Sequence, residues 1–276
     1  MNFKKQKEME KKYWFVFCSG CVLLIKDNEK DTYSIPLSDT PPTATHDWTV
    51  MQELPELNGY PCVAYSINTP IEDTENLKTI GLRESYNYIP ESQYLMAGKA
   101  SQLLYWDAST KYCGVCGAPM KRSTVISKTC TNCGKEVWPQ VAPAIIVRIL
   151  RNDSPTKDKN EEQILLVSAR NFRRSTMYGL VAGFLETGET LEQCVEREVA
   201  EEVGLKIKNI KYFASQPWPY PSGVMIGFTA EYVSGDIKLQ EEELTRGGWF
   251  KRDNLPQIPD KLSIARRLID DWIQQG

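Results

Sequence analysis

Short apolar runs separated by polar stretches dominate the first third of the chain. "YWFVF" (13–17), "CVLLI" (21–25) and "CVAYSI" (62–67) are rich in aromatic and β-branched residues, and too short for helices. They predict the strands of a small sheet. Residues 90–107, "PESQYLMAGKASQLLYWD", change to helix-forming composition with a proline at the start, where its missing N–H does no harm. Beyond "PQVAPA" the β signal returns. "IIVRIL" (145–150) and "ILLVSAR" (164–170) predict two strands around the charged loop "RNDSPTKDKNEEQ". "GLVAGF", a helix over about 190–203, "IKYFAS", "VMIGFTAEYV" and "GGWF" follow, and a helix over "KLSIARRLIDDWIQQ" closes the chain. The pattern implies an α+β protein in three parts: a β-rich domain over 1–107, a cysteine module over 108–137, and a mixed domain over 138–276.

Composition narrows the function classes. Hydrophobic content of 41% and charged content of 25% suit a globular protein. A net charge of −3 argues against a general nucleic-acid coat. The single histidine, His46, leaves no room for a histidine ligand cluster, and any Ser–His–Asp triad would have to rest on it. Residues 13–25 follow a lysine-rich start and resemble a signal core, but Glu8 and Glu10 spoil its basic flank and Gly20 breaks its apolar run. The preferred reading is a pair of strands or one bent strand, in a cytoplasmic protein without a membrane span.

Cys113-x2-Cys116 and Cys130-x2-Cys133 form two knuckles thirteen residues apart, each followed by a glycine that eases a tight turn. Four thiolates in this spacing suit a closed, structural tetrahedral Zn²⁺ site. The further pair Cys18-x2-Cys21 has no second knuckle; it reads as one strand with its cysteines on opposite faces. Cys62 and Cys194 read as small apolar fillers.

The stretch "AGFLETGETLEQCVEREVAEEVGL" (182–205) carries the chemistry. Thr190 is the candidate N-cap and Gly204 the stop. At about 100° per residue, Leu191, Cys194, Val195 and Val199 fill one apolar arc. Glu198 and Glu202 fall within that arc and Glu201 at its edge, while Glu192 and Glu196 point away. Carboxylates crowded onto an apolar face are costly unless a cation joins them, and an all-oxygen donor set points to Mg²⁺ or Mn²⁺. Arg197, four residues before Glu201, is placed to pair with it.

Gly183, Glu189 and "REVAEEVGL" (197–205) fill every fixed position of a Nudix box, G-x5-E-x7-R-E-U-x-E-E-x-G-U with U aliphatic, so the chain resembles the Nudix hydrolases. The resemblance implies an α/β/α sandwich and hydrolysis of a nucleoside diphosphate linked to a further group. It also implies Glu198 and Glu202 as main metal ligands, with Glu201, the Ala182 carbonyl and Glu243 beside them. The four-cysteine ribbon, the box and then "SQPWPYPSG" (215–223) together resemble the NADH pyrophosphatase subfamily, from about residue 95 to the end. That likeness implies cleavage of NAD(H) to nicotinamide mononucleotide and AMP, removal of NAD caps from RNA, and a homodimer. The proline-locked aromatic stretch then reads as a stiff loop that walls a flat ring. Its residues Gln216, Pro217, Trp218, Pro219, Tyr220, Pro221, Ser222 and Gly223, with Trp138, Phe184 and Ala265, form the implied substrate set. Three positions depart from the subfamily pattern: Tyr220 replaces phenylalanine, Gly223 replaces serine and Trp138 replaces tyrosine. A broader ADP-ribose or dinucleotide diphosphatase is the nearest alternative. A non-catalytic ligand-sensing regulator is the alternative from another class, and the intact acids argue against it.

Overall fold

The computed structural model describes residues 10–156, 158–170 and 176–275. Glu8 and the lysine-rich start lie outside them. The chain divides into two compact units, Met1–Gln140 with Pro219–Ser222, and Val141–Trp218 with Gly223–Gly276. No helix among the described residues is long and apolar enough to cross a membrane.

The first unit contains β1 (Lys12–Cys18), β2 (Cys21–Asp27), β3 (Thr32–Ser34), β4 (Leu37–Ser38), β5 (Gln52–Leu57), β6 (Tyr60–Ser66) and β7 (Leu77–Gly81), joined in one sheet. β1 lies inside it, parallel to β6 and antiparallel to β2, which is why Tyr13–Cys18 reads as an unbroken apolar run and is buried throughout. Ser19 and Gly20 take positive φ values of 50° and 80° in the two-residue turn between β1 and β2. The single-strand reading of Cys18-x2-Cys21 is thereby corrected. The two cysteines are cross-strand partners on a hairpin, and directly opposed residues share a face.

A short helix α1 (Leu82–Ser85) leads into α2 (Glu91–Ser109), with Pro90 at its N-cap. α2 buries Tyr94, Ala97, Gly98, Leu103 and Trp106. β8 (Met120–Thr124), β9 (Ser127–Cys130) and β10 (Glu136–Val137) form the three-stranded cysteine ribbon. Lys128 of β9 reaches the C-terminal end of α2. There its ammonium donates to the carbonyls of Asp107 (2.7 Å) and Thr110 (3.3 Å), pairs with the Asp107 carboxylate at 3.1 Å and stands 5.3 Å from the centre of the Trp106 ring. A cation there also complements the helix dipole.

In the second unit, β11 (Ala142–Arg151) is the spine. It pairs in parallel with β15 (Gly223–Ser234), and antiparallel with β12 (Gln163–Ala169) and β13 (Val181–Phe184). β14 (Lys206–Trp218) and β16 (Leu244–Phe250) close the two edges. Alternate residues of the central strands serve opposite layers. Ile145, Val147, Ile149, Leu165 and Val167 pack with Cys194, Val195, Val199 and Val203 of α3 (Leu191–Val203). Ile146, Ile164 and Leu166 pack with Ile264, Leu268, Ile269 and Trp272 of α4 (Ile264–Gln274). The result is a helix–sheet–helix sandwich, with strands buried on both faces.

Candidate active site

α3 starts as its sequence expects, at Thr190, whose hydroxyl accepts from the Gln193 N–H. Gln193 returns a bond to the Thr190 backbone, completing a capping box, and Gly204 ends the helix at φ 71°. Glu198 and Glu202 are 9% and 4% exposed, so the apolar face of α3 does carry two buried acids. Glu201 is exposed instead, because Arg197 holds it outward at 3.0 Å.

The box glycine meets the first of these acids directly. A β-carbon on Gly183 would stand 1.9 Å from the Glu198 carboxyl carbon, so only glycine lets that carboxylate lie against β13. Burial raises the pKa of Glu198 against the pull of Arg197. Burial, helped by the charges of Glu198 and Glu243, pushes Glu202 up to about 8, against a backbone hydrogen bond from Ala182. The field of Glu243 thus reaches both acids, although its own side chain is exposed. Such a cradle of hard oxygen donors fits a divalent cation, which offsets the repulsion that otherwise forces a proton onto the cluster.

Arg197 organises the cluster. It grips Glu189 through Nε (3.2 Å) and an amino nitrogen (2.7 Å), donates to Glu198 at 2.9 Å, and bonds the Phe184 carbonyl at 2.9 Å. These carboxylates, Glu189 foremost, hold the guanidinium firmly protonated. Phe184 itself is 66% exposed, so its ring is not part of the core.

The remaining members of the implied substrate set divide between the units. In the second unit Gln216 and Pro217 lie in β14, an edge strand, where a proline costs no ladder bond. The aromatic stretch is therefore a strand through Trp218, and only its tip is a loop. The Gln216 side chain is held at both ends: its amide donates to the Leu262 carbonyl (2.8 Å) and accepts from the Ile264 N–H (2.6 Å) beside the buried Ala265. Gly223 begins β15 where a β-carbon would stand 3.3 Å from the carbonyls of Ala142 and Trp218, a physical reason for lacking the serine.

In the first unit the Ser222 hydroxyl donates to the Gln140 carbonyl, and the Gln140 amide donates to the Trp138 carbonyl at 3.1 Å. Trp138 is 49% exposed. Pro219 is buried, Pro221 is exposed, and the Tyr220 hydroxyl meets that of Tyr94 at 2.8 Å. Burial raises the pKa of both tyrosines, so both stay protonated and one donates to the other.

The four ribbon cysteines bring their sulfurs within 4.8 Å of one another. Cys113–Cys133 and Cys116–Cys130 approach to 3.7 and 3.4 Å, too far for disulfides and suited to one shared ion. Gly117 and Gly134 take positive φ of 74° and 73° in the two knuckle turns. Backbone N–H groups hold Cys113, Cys116 and Cys130 below the usual thiol range. Against one such bond from Lys135, the neighbouring sulfurs push Cys133 up to about 12. The donor set is soft and closed, as a structural metal requires.

Comparison with known proteins agrees with this geometry. The NUDIX domain model matches residues 144–272, and the model described as an NADH pyrophosphatase-like rudimentary NUDIX domain matches residues 11–106. The NAD-capped RNA hydrolase NudC of Deinococcus radiodurans is 42% identical over 193 residues, which cover 70% of this chain and 67% of that protein. The NudC of Pectobacterium atrosepticum is 44% identical over 181 residues, covering 65% of this chain and 66% of that protein. The chain belongs to the Nudix hydrolase family. Within it, the chain has the branch architecture that joins a rudimentary Nudix-like domain to a complete one.

Two parts of this Nudix site escape the sequence reading. Glu189 is a fixed box position, but its role as the main partner of Arg197 appears only in three dimensions. Arg170 donates its backbone N–H to the Glu243 carbonyl at 2.8 Å and its guanidinium to the Glu241 carbonyl. It thereby holds the acidic turn, and no local pattern marks it.

Proposed function

We propose that this Nudix protein hydrolyses the diphosphate of NAD(H), giving the nicotinamide mononucleotide and AMP, and removes NAD caps from RNA by the same cleavage. One observation carries the reading: of two buried acids on α3, Glu198 lies against the box glycine, and the residue after that glycine, Phe184, is exposed. Support for the substrate comes from the similarity to NAD-capped RNA hydrolases, which extends over about two thirds of their length.

In this reading Glu198 and Glu202 hold Mg²⁺ or Mn²⁺, with Glu201, Glu243 and the Ala182 carbonyl as further donors. When bound, the ion supplies charge neutralisation for the diphosphate and activation of water. Arg197 orients Glu198 and favours its charged form against burial, and through the Phe184 carbonyl fixes the backbone that presents the ring. Phe184 stacks on the nicotinamide. Trp138, Trp218, Tyr220 and the prolines 217, 219 and 221 limit the space open to flat rings, while Gln216, Ser222, Gly223 and Ala265 supply backbone and polar contacts. The four cysteines hold a structural Zn²⁺. A homodimer, carried over from the subfamily resemblance, and a cytoplasmic location, which suits eight cysteines none of which is in a disulfide, complete the proposal.

The test is a substrate panel of NADH, NAD⁺, ADP-ribose and NAD-capped RNA at matched concentrations, with Mg²⁺ or Mn²⁺. NAD(H) and the capped RNA should be cleaved faster than ADP-ribose. Preferential ADP-ribose cleavage would favour the broader diphosphatase, and no turnover of any substrate would favour the regulator.

A further inference from the structure

The first unit contains an anchorage for the tip of the aromatic stretch. Pro219 is buried against helix α2, where a β-carbon on Gly98 would stand 3.1 Å from the proline ring. One turn earlier on the same helix face, the buried Tyr94 meets the Tyr220 hydroxyl at 2.8 Å. Tyr86 packs edge-on against Tyr94 with ring centres 5.4 Å apart, which fixes the direction of that hydroxyl. At the far side of the tip, Ser222 is tied to the Gln140 carbonyl.

Tyr220 stands where the subfamily pattern has phenylalanine, and phenylalanine could not make the bond to Tyr94. The contact is partly screened from water, where a hydrogen bond between two hydroxyls contributes to holding the tip. Gly98 is equally purposeful. Glycine in the interior of a helix is ordinarily worse than alanine, yet here it makes room for a rigid ring that cannot swing aside.

From these contacts we infer that Tyr94 and Gly98 of α2 are positioning residues for substrate recognition, holding the Pro219–Ser222 tip so that its rings are presented in one fixed arrangement. The inference rests on the reading of that tip as part of the NAD(H) site, and it gives the rudimentary N-terminal domain a share in specificity. Neither residue touches the reacting atoms. Their contribution is pre-organisation, which lowers the ordering cost of binding.

Loosening the tip should therefore raise KM for NADH and leave kcat nearly unchanged. In Tyr94→Phe the rise should be roughly two- to tenfold, the scale of one net hydrogen bond, with kcat within about twofold. Hydrogen–deuterium exchange should show faster uptake in a peptide spanning residues 213–224. Gly98→Ala should also raise KM for NADH while the melting temperature holds or rises, which separates tip position from helix stability. Lys99→Ala, an exposed neighbour on α2, should change neither quantity. Unchanged uptake in Tyr94→Phe would overturn the anchorage. Unchanged KM in both Tyr94→Phe and Gly98→Ala, with wild-type protein cleaving NADH, would overturn its role in recognition. Wild-type protein that leaves NADH intact would instead overturn the substrate reading, and the exchange measurement would still decide the anchorage.

Discussion

Phe184 sits at the point where the cluster of buried acids and the proposed recognition of a flat ring meet. Its carbonyl is bonded by Arg197, its neighbour Gly183 lies against Glu198, and its ring is two-thirds exposed at 66%. An exposed ring on a rigidly held strand has little to do for the core, so truncation should act on binding. In Phe184→Ala, KM for NADH should rise about tenfold or more, the usual cost of losing one base–aromatic stack, with kcat little changed. ADP-ribose lacks the nicotinamide, so its kinetics should move much less. Steady-state assays on both substrates check this; equal losses on both would mean that the ring supports the fold of the site and does not grip nicotinamide. The two buried acids of this region were legible in the sequence because helical spacing puts Glu198 and Glu202 on the apolar arc of α3. Exposure of Phe184 was not, since an aromatic in an apolar run is compatible with a buried or an open face. Glu201 shows the limit of helical geometry. It sits at the edge of the arc, where the 3.0 Å pair with Arg197 decides its direction.

At the scale of elements, α3 was read with its ends in place and the ribbon with its two knuckle turns, because caps, knuckles and glycine turns are local signals; α2 runs on to Ser109, past the expected start of the ribbon at 108. The β1–β2 hairpin was left open between a pair of strands and one bent strand. Alternation alone does not distinguish them, although Ser19-Gly20 is itself a turn dipeptide. The extension of β14 through Trp218 was missed for a related reason: prolines argue against a strand, but at a sheet edge they are tolerated. The ribbon is also where metal and fold depend on each other. Four sulfurs within 4.8 Å, three of them held towards the thiolate, repel one another without an ion. Cys116→Ser should therefore release the bound metal and lower the melting temperature by roughly 5 °C or more. Metal content by mass spectrometry and a thermal melt check this together. A soluble variant with one Zn²⁺ per chain and unchanged melting would remove the ribbon from the account.

Across the whole molecule, long-range pairings carry what no sequence window contains. Tyr94 and Tyr220 are 126 positions apart, and Arg148 reaches 123 positions to Asp271 to join β11 to α4 at 2.6 Å. The sandwich around α3 came with the Nudix resemblance, and the structure gives its physical reason: β11 and β12 are apolar on both faces and need a layer on each. The link from N-terminal helix to aromatic tip was not. The bond that is cut and the acids proposed to make the cut possible can both be read in one measurement. NADH is incubated with wild-type protein and Mg²⁺ or Mn²⁺, with the same mixture plus chelator, and with Glu202→Gln, and the products are separated by chromatography. The account predicts reduced nicotinamide mononucleotide and AMP in equal amounts from the wild type, no cleavage with chelator, and turnover lower by roughly 10²-fold or more in a folded Glu202→Gln variant. Near-wild-type turnover by Glu202→Gln, or products split at the nicotinamide–ribose bond instead of the diphosphate, would contradict it.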